Sequence, residues 1–193
     1  MKFIVIEGDN GTGKDSLAQI FEKKGMLIVT YLPEVIEKEK EAKKLNGKEK
    51  IKKFLEYNKL CGEIARSKSS DTMLIRFWLS TLAAGYSDSI YNLEETMQLF
   101  DKCLKELGVP DIVIRLKCNF DERIKRINER NSDEFDDKTL NRSKKYQFIT
   151  EIFIKKLNMI KWINIETTNK SKEQIFEEAY NKIYEKKVYR QNS

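Results

Sequence analysis

The chain has 193 residues, of which 40% are hydrophobic and 35% charged, as is typical of one globular domain with a charged surface. Histidine is absent, which excludes histidine-based catalytic triads and the usual zinc sites, and three cysteines without CxxC spacing indicate a reducing compartment. The net charge of +6 would suit nucleic-acid binding, but the lysines are interspersed with glutamates and no recognition motif is present, so we predict no nucleic-acid partner.

The N-terminal residues pass directly into a glycine-rich loop and contain no small-residue cleavage site, so we expect no signal peptide. The longest apolar runs are too short to span a bilayer. We therefore expect a cytoplasmic protein without a membrane partner, and one domain over residues 1–193.

Short apolar runs alternate with helical patterns along the chain, and each run predicts a strand that is buried on both faces. Between the runs lie amphipathic helices, of which the last places Ile175, Ala179 and Ile183 on one face. Pro33 and Pro110 are expected at strand edges. The alternation predicts a parallel sheet with helices on both faces and ligands at the carboxyl ends of the strands. The predicted strands are Phe3–Ile6, Met26–Leu32, Thr72–Ile75, Ile112–Leu116 and Trp162–Ile165.

The strongest motif is the GxxxxGK pattern at residues 8–14, which follows the first predicted strand and opens a helix predicted at Asp15 to Lys24. Its glycines allow backbone N–H groups to converge on one anion, and Lys14 would reach the β- and γ-phosphates of a nucleotide. The alternative is a glycine-rich turn kept for packing. The predicted cofactor-binding residues are Gly8, Asn10, Gly11, Thr12, Gly13, Lys14, Asp15 and Ser16.

The position after the lysine departs from the motif, since Asp15 stands where a Ser or Thr hydroxyl would bind Mg²⁺. Ser16 does not substitute simply, because the next helical residue points about 100° away. A carboxylate is itself a hard oxygen ligand. We therefore predict Asp15 as the metal residue, with ATP and Mg²⁺ as the cofactors.

Further segments follow the loop in a characteristic order. They are residues 4–14, 32–34, 76–83, 110–116 and 121–127, followed by Arg130, residues 133–135 and Tyr146. Together these segments resemble the thymidylate kinase family of P-loop nucleoside monophosphate kinases. The resemblance implies a three-layer α/β P-loop kinase fold with a five-stranded parallel sheet, a short lid at about 131–143, and a homodimer. It implies transfer of the γ-phosphate of ATP to a nucleoside monophosphate, with dTMP as the leading acceptor.

Arg76 ends a buried strand, a position from which an arginine can bind phosphate, although a surface ion pair is the alternative. Asn58 lies on the apolar stripe of a predicted helix, where it either faces the acceptor or is a satisfied core residue. Arg123, Arg126 and Arg130 share one helix face and are candidates to clamp the transferring phosphoryl group. The predicted catalytic residues are Lys14, Arg76, Arg126 and Arg130, and the predicted substrate-binding residues are Asp9, Glu34, Phe54, Leu55, Asn58, Lys59, Arg76 and Ser80.

The departures from the family pattern fall on the acceptor side. Asn10 replaces a carboxylate, Ile75 replaces the aspartate of an Asp-Arg pair, and Gly85 replaces a glutamine that contacts thymine. Two alternatives therefore stay open: a kinase for another deoxynucleotide or small phosphate acceptor, and a nucleotide-binding protein without turnover.

Overall fold

The computed structural model of the protein describes residues 1–129 and 140–184. The described strands are β1 (Phe3–Glu7), β2 (Leu27–Ile28), β3 (Thr72–Ile75), β4 (Ile112–Lys117) and β5 (Lys161–Glu166). The described α-helices are α1 (Lys14–Lys23), α2 (Pro33–Lys43), α3 (Gly47–Ser67), α4 (Trp78–Ser87), α5 (Leu93–Leu107), α6 (Phe120–Glu129), α7 (Leu140–Lys156) and α8 (Lys172–Tyr184).

The five strands form one parallel sheet in the order β2-β3-β1-β4-β5, as the sequence predicts. Strand β1 lies at the centre, with Ile6 paired to Ile75 on one side and Glu7 paired to Arg115 on the other. The carboxyl ends of β3, β1 and β4 therefore lie side by side. This edge of the sheet is where ligands bind in folds of this kind.

Helices cover both faces of the sheet and give a three-layer α/β fold, which confirms the predicted fold class. Phe3 and Val5 of β1 belong to one buried cluster, which includes side chains of α3, α4, α5 and α7. Ile4 and Ile6 alternate with them and belong to the second cluster, which includes side chains of α1 and α8. This alternation explains the unbroken apolar run in β1, because both faces of a central parallel strand are buried.

The second strand is shorter than predicted. Only Leu27 and Ile28 pair with β3, and a 3₁₀ turn over Val29–Tyr31 follows where the sequence predicts strand as far as Leu32. The prediction that Pro33 lies at a strand edge is also wrong, since Pro33 is the first residue of α2. A backbone N–H at this position has no acceptor within the helix, so proline loses no hydrogen bond there. An apolar run at the sheet edge does not by itself show where pairing stops.

The lid predicted at about 131–143 lies mostly outside the described residues. Its last residues, 140–143, belong to α7, which begins at Leu140, and the lid stays a prediction. Phe77 and Trp78 are fully buried and belong to the first of the two core clusters. Within 1–129 and 140–184, no helix is long and apolar enough to cross a membrane.

Candidate active site

The loop between β1 and α1 crosses the carboxyl edge of the sheet and packs directly against α6. Gly11 has φ of 80° and Gly13 has φ of 94°, backbone angles that favour glycine. A Cβ atom on Gly11 would lie 2.7 Å from the backbone oxygen of Arg123, so α6 leaves no room for a side chain there. Gly13 precedes the first turn of α1, whose N-terminus attracts anions.

Lys14 is buried at the start of α1, and its ammonium group donates a 2.8 Å hydrogen bond to the backbone oxygen of Asp9. The hydroxyl of Thr12 donates to the same oxygen, also at 2.8 Å. Burial, followed by the charge of Arg76, lowers the pKa of Lys14 to about 7. The loop therefore holds a lysine whose charge an incoming phosphate would stabilise.

Arg76 follows β3 directly, and its backbone φ is 68°. Its backbone N–H donates to the oxygen of Ile6, while its guanidinium donates to the side-chain oxygen of Asn10 in the loop. The predicted phosphate residues Arg76, which follows β3, and Lys14, which begins α1, thus contact the same loop. A non-glycine residue with positive φ is uncommon and is found disproportionately at functional sites.

A buried carboxylate at the end of β1 fixes the start of α4. Glu7 accepts hydrogen bonds from the hydroxyl of Ser80 and, at 3.1 Å, from the backbone N–H of Phe77. The Ser80 hydroxyl also shares a 3.3 Å hydrogen bond with the Tyr146 hydroxyl of α7. Ser80, which the resemblance implies as a substrate residue, is therefore held inside this network. Sequence reasoning missed Glu7, although a charged residue closing an apolar strand before the loop was a usable signal.

Two of the three arginines predicted on α6 lie within the described residues, and they differ in their surroundings. Arg123 is 2% exposed and contacts the loop, where it lies 3.2 Å from a carboxylate oxygen of Asp9. Arg126 donates a 2.9 Å hydrogen bond to the backbone oxygen of Thr167 and pairs with Glu122. Arg130 lies outside the described residues.

Arg126 also lines a cavity of about 370 Å³ beside the loop. The volume lies within the range of roughly 300–1,000 Å³ that is typical of ligand sites. Its position next to the phosphate loop, away from β3 and α3, suits the base of the nucleotide whose phosphates the loop would hold. The other lining residues are Gly13, Ser16, Leu17, Glu129, Lys170, Ser171, Lys172 and Ile175.

The residues expected to bind the acceptor are spread over α2 and α3. Asn58 is buried, and its amide donates a 2.8 Å hydrogen bond to the hydroxyl of Thr81 on α4, as a core asparagine would. Phe54 and Leu55 are half-buried on the same helix. Glu34 and Lys59 are exposed. A Cβ atom on Gly85 would lie 3.1 Å from the ring of Tyr91, so the family's glutamine would fit only if that ring shifted.

Asp15 is exposed in the first turn of α1, directly after Lys14. Within the described ranges, no three Asp, Glu or Cys side chains cluster to hold a metal ion by themselves. A single carboxylate beside a phosphate site fits Mg²⁺, which binds proteins through one or two carboxylates together with substrate phosphates. Asp15 is the residue that would hold the ion, in place of the hydroxyl of the usual motif.

Fold and loop together define a P-loop protein with the architecture of nucleotide kinases. A family model described as an AAA domain matches residues 4–147, which includes the loop, Arg76 and α6. The protein belongs to this family.

Solved structures share the fold at low sequence identity. Deoxyadenosine kinase from M. mycoides, solved with the products dCMP and dCDP, has a TM-score of 0.63 at 19% identity, covering 95% of this chain and 100% of its own. Thymidylate kinase from Candida albicans has a TM-score of 0.65 at 15% identity, covering 94% of this chain and 90% of its own. No curated protein matches the sequence at a significant level.

Proposed function

We propose that this protein transfers the γ-phosphate of ATP to a nucleoside monophosphate, and that dTMP is the first acceptor to test. The observation that carries the proposal is the convergence of Lys14 and Arg76 on one glycine-rich loop at the carboxyl edge of the sheet. The motif and the kinase fold of the solved neighbours support phosphoryl transfer from ATP, and the resemblance to thymidylate kinases supports a monophosphate acceptor. The homodimer and the cytoplasmic location stay predictions.

Catalysis of phosphoryl transfer depends more on cations that neutralise the phosphate charge than on a general base. Phosphoryl transfer passes through a transition state whose charge is spread over the phosphoryl oxygens, so positioned cations supply most of the catalysis. In the proposed assignment, Lys14 binds the β- and γ-phosphates, and Arg76 neutralises charge from the side of β3. Mg²⁺, when bound with ATP, would supply further neutralisation next to Asp15.

A monophosphate acceptor suits a site without histidine. The oxygen of a phosphate is already ionised at neutral pH, so it attacks the γ-phosphate without a general base. We assign Arg76, which follows β3 and contacts Asn10 of the loop, to the acceptor and donor phosphates together. Phe54 and Leu55 on α3 are the residues we assign to the acceptor, with Glu34 and Lys59 as outer candidates, whereas Asn58 is assigned to the core because it is buried and bonded to Thr81. Arg126 and, from the sequence, Arg130 are assigned to the donor phosphates.

The test is ADP release from ATP and Mg²⁺ with dTMP, dUMP, dCMP, dAMP and dGMP offered separately, with products identified by chromatography. We expect one acceptor to stimulate release well above the rate without acceptor. Lys14→Ala should reduce the stimulated rate by about 100-fold or more, the scale of losing one charge-stabilising donor. Lys24→Ala is the matched control, because Lys24 is an exposed lysine just beyond the end of α1.

Two results would contradict the proposal. ADP release that is unchanged in Lys14→Ala would place the chemistry elsewhere. Measurable ATP binding without stimulation by any acceptor would instead indicate a nucleotide-binding protein without turnover.

A second candidate is phosphorylation of a deoxynucleoside, favoured by the likeness to deoxyadenosine kinase over the whole of that chain. A sugar hydroxyl is a poorer nucleophile than a phosphate and needs a carboxylate as general base. Adding the deoxynucleosides to the same panel separates the two candidates, because the products differ by one phosphate.

A further inference from the structure

The carboxylate of Asp9 lies where the phosphate loop meets α6 and α7. Its Oδ2 atom is 3.2 Å from the guanidinium of Arg123 and accepts a hydrogen bond, also 3.2 Å long, from the hydroxyl of Ser143. Its Oδ1 atom is 3.7 Å from the guanidinium of Arg142 and accepts a 2.9 Å hydrogen bond from the backbone N–H of Asn10. Both oxygens are therefore engaged by protein groups, and the expected contact with an acceptor sugar gains no support.

The backbone of the same residue faces the inside of the loop. The carbonyl oxygen of Asp9 accepts the hydrogen bonds from Lys14 and Thr12, each 2.8 Å long. Arg123 also donates a 3.1 Å hydrogen bond to the backbone oxygen of Asn10. Thus the side chain of Asp9 fixes the peptide that in turn fixes the ammonium group of Lys14.

The ion pair between Asp9 and Arg123 is buried, which raises the energetic cost of breaking it. The side chain of Asp9 is 9% exposed and that of Arg123 is 2% exposed, so neither charge is well solvated. Breaking a buried ion pair costs far more than breaking a surface pair. Arg142 also pairs, at 2.5 Å, with Asp88 at the end of α4.

We propose that Asp9 is a positioning residue that holds the phosphate loop in its binding shape by anchoring it to α6 through Arg123 and to α7 through Ser143 and Arg142. The inference rests on the proposed function in one respect, namely that the loop binds nucleotide phosphates. It predicts that Asp9 controls affinity for ATP and ADP through the shape of the loop, since both of its carboxylate oxygens contact protein groups.

The test compares Asp9→Asn with Asp88→Asn by titration with fluorescent ADP, thermal melting and steady-state kinetics. Asn keeps the shape of Asp9 but lacks the charge that pairs with Arg123. Asp88→Asn is the matched control, because it removes a carboxylate from Arg142 without touching the loop. We expect ADP to bind Asp9→Asn about tenfold more weakly, and KM for ATP to rise more than kcat falls.

A double variant tests whether Asp9 influences ADP affinity through Arg123. If Asp9 acts through Arg123, combining Asp9→Asn with Arg123→Gln should weaken ADP binding by no more than the worse single change. Unaltered ADP affinity in Asp9→Asn, even with a lower melting temperature, would overturn the proposal, since that outcome describes a purely structural residue. Additive losses in the double variant would also overturn it.

The comparison separates this inference from the proposed function. If the wild-type chain binds ADP but phosphorylates no acceptor, the proposed function fails, and the affinities of the variants still decide the role of Asp9. If the wild-type chain does not bind ADP, both proposals are overturned.

Discussion

Glu7 accepts a hydrogen bond from the hydroxyl of Ser80, 73 residues away, and both side chains are buried. Burial is the main reason that the pKa of Glu7 is raised to about 6 from its ordinary 4.5, against smaller opposing effects of Ser80 and Arg76. A raised pKa means that the folded chain holds its proton more tightly than the unfolded chain. The stability contributed by this carboxyl is thus present below pH 4.5 and lost as pH rises through about 6.

We expect the free energy of unfolding of Glu7→Gln relative to the wild type to increase between pH 4.5 and pH 7 by about 2 kcal/mol. The glutamine can still accept from Phe77 and hydrogen-bond with Ser80, so the fold should be kept. Urea unfolding at several pH values measures the difference. The control is Glu151→Gln, because Arg115 lowers the pKa of Glu151 and its contribution to stability has the opposite sign. Parallel pH profiles for wild type and Glu7→Gln would refute this expectation.

Nucleotide affinity should depend on the protonation of Lys14. Because burial lowers its pKa to about 7, the lysine loses its charge as pH rises above neutrality, and ADP must then bind together with a proton. We expect ADP affinity to fall from pH 6 to pH 9. Calorimetry at pH 8 in two buffers of different ionisation enthalpy should show proton uptake.

Lys14→Arg provides the comparison for this pH effect, because a guanidinium keeps its charge throughout that range. The variant should bind without the proton uptake seen for the wild type. Equal proton uptake in both proteins would assign the effect to another group, the nucleotide included.

Gly11→Ala should damage the loop far more than Gly25→Ala. Both glycines have positive φ, 80° and 89°, so both variants carry the backbone cost of about 1–2 kcal/mol. Only at Gly11 would the new Cβ atom meet the backbone oxygen of Arg123, at 2.7 Å, whereas the space around Gly25 is open. We expect Gly11→Ala to lose measurable ADP binding and Gly25→Ala to keep it. Similar ADP affinities in the two variants would show that α6 can move away from the loop at little energetic cost.

Asp15→Asn should raise the Mg²⁺ concentration that gives half-maximal activity by about tenfold, since an amide is a weaker ligand than a carboxylate. The direct measurement is a Mg²⁺ titration of ADP release at saturating ATP. Glu22→Gln is the control, because Glu22 is an exposed acid on the same helix, two turns away. A half-maximal concentration that does not change in Asp15→Asn would remove Asp15 from the metal site.

The sequence predicted four of the five strands to within one residue at each end. Strands β1, β3 and β4 are buried on both faces and leave unbroken apolar runs, whereas β5 lies at the sheet edge and alternates between buried and exposed residues. It overextended β2, where the apolar residues continue past the last paired residue into a 3₁₀ turn. The phosphate loop was also predictable, since its glycines and Lys14 are contiguous and their spacing follows from the geometry of the anion cradle.

Contacts between distant residues were beyond sequence reasoning. Asp9 was assigned to the acceptor because it stands in the loop, yet its carboxylate contacts Arg123, 114 positions further along the chain. Asn58 was recognised as a polar residue on an apolar face, but its partner Thr81 could not be named. Periodicity shows which face a residue occupies, while the partner depends on how helices dock.

The contact between Asp9 and Ser143 spans 134 residues, and it sets the order in which the protein can acquire its binding site. Closing so long a segment costs chain entropy that only the docked helices offset, so contacts of this range form late in folding. A refolding chain would therefore gain its helices, whose hydrogen bonds are local, before its phosphate loop is anchored. Nucleotide binding followed during refolding should lag behind the recovery of secondary structure, and it would report that α7 has docked.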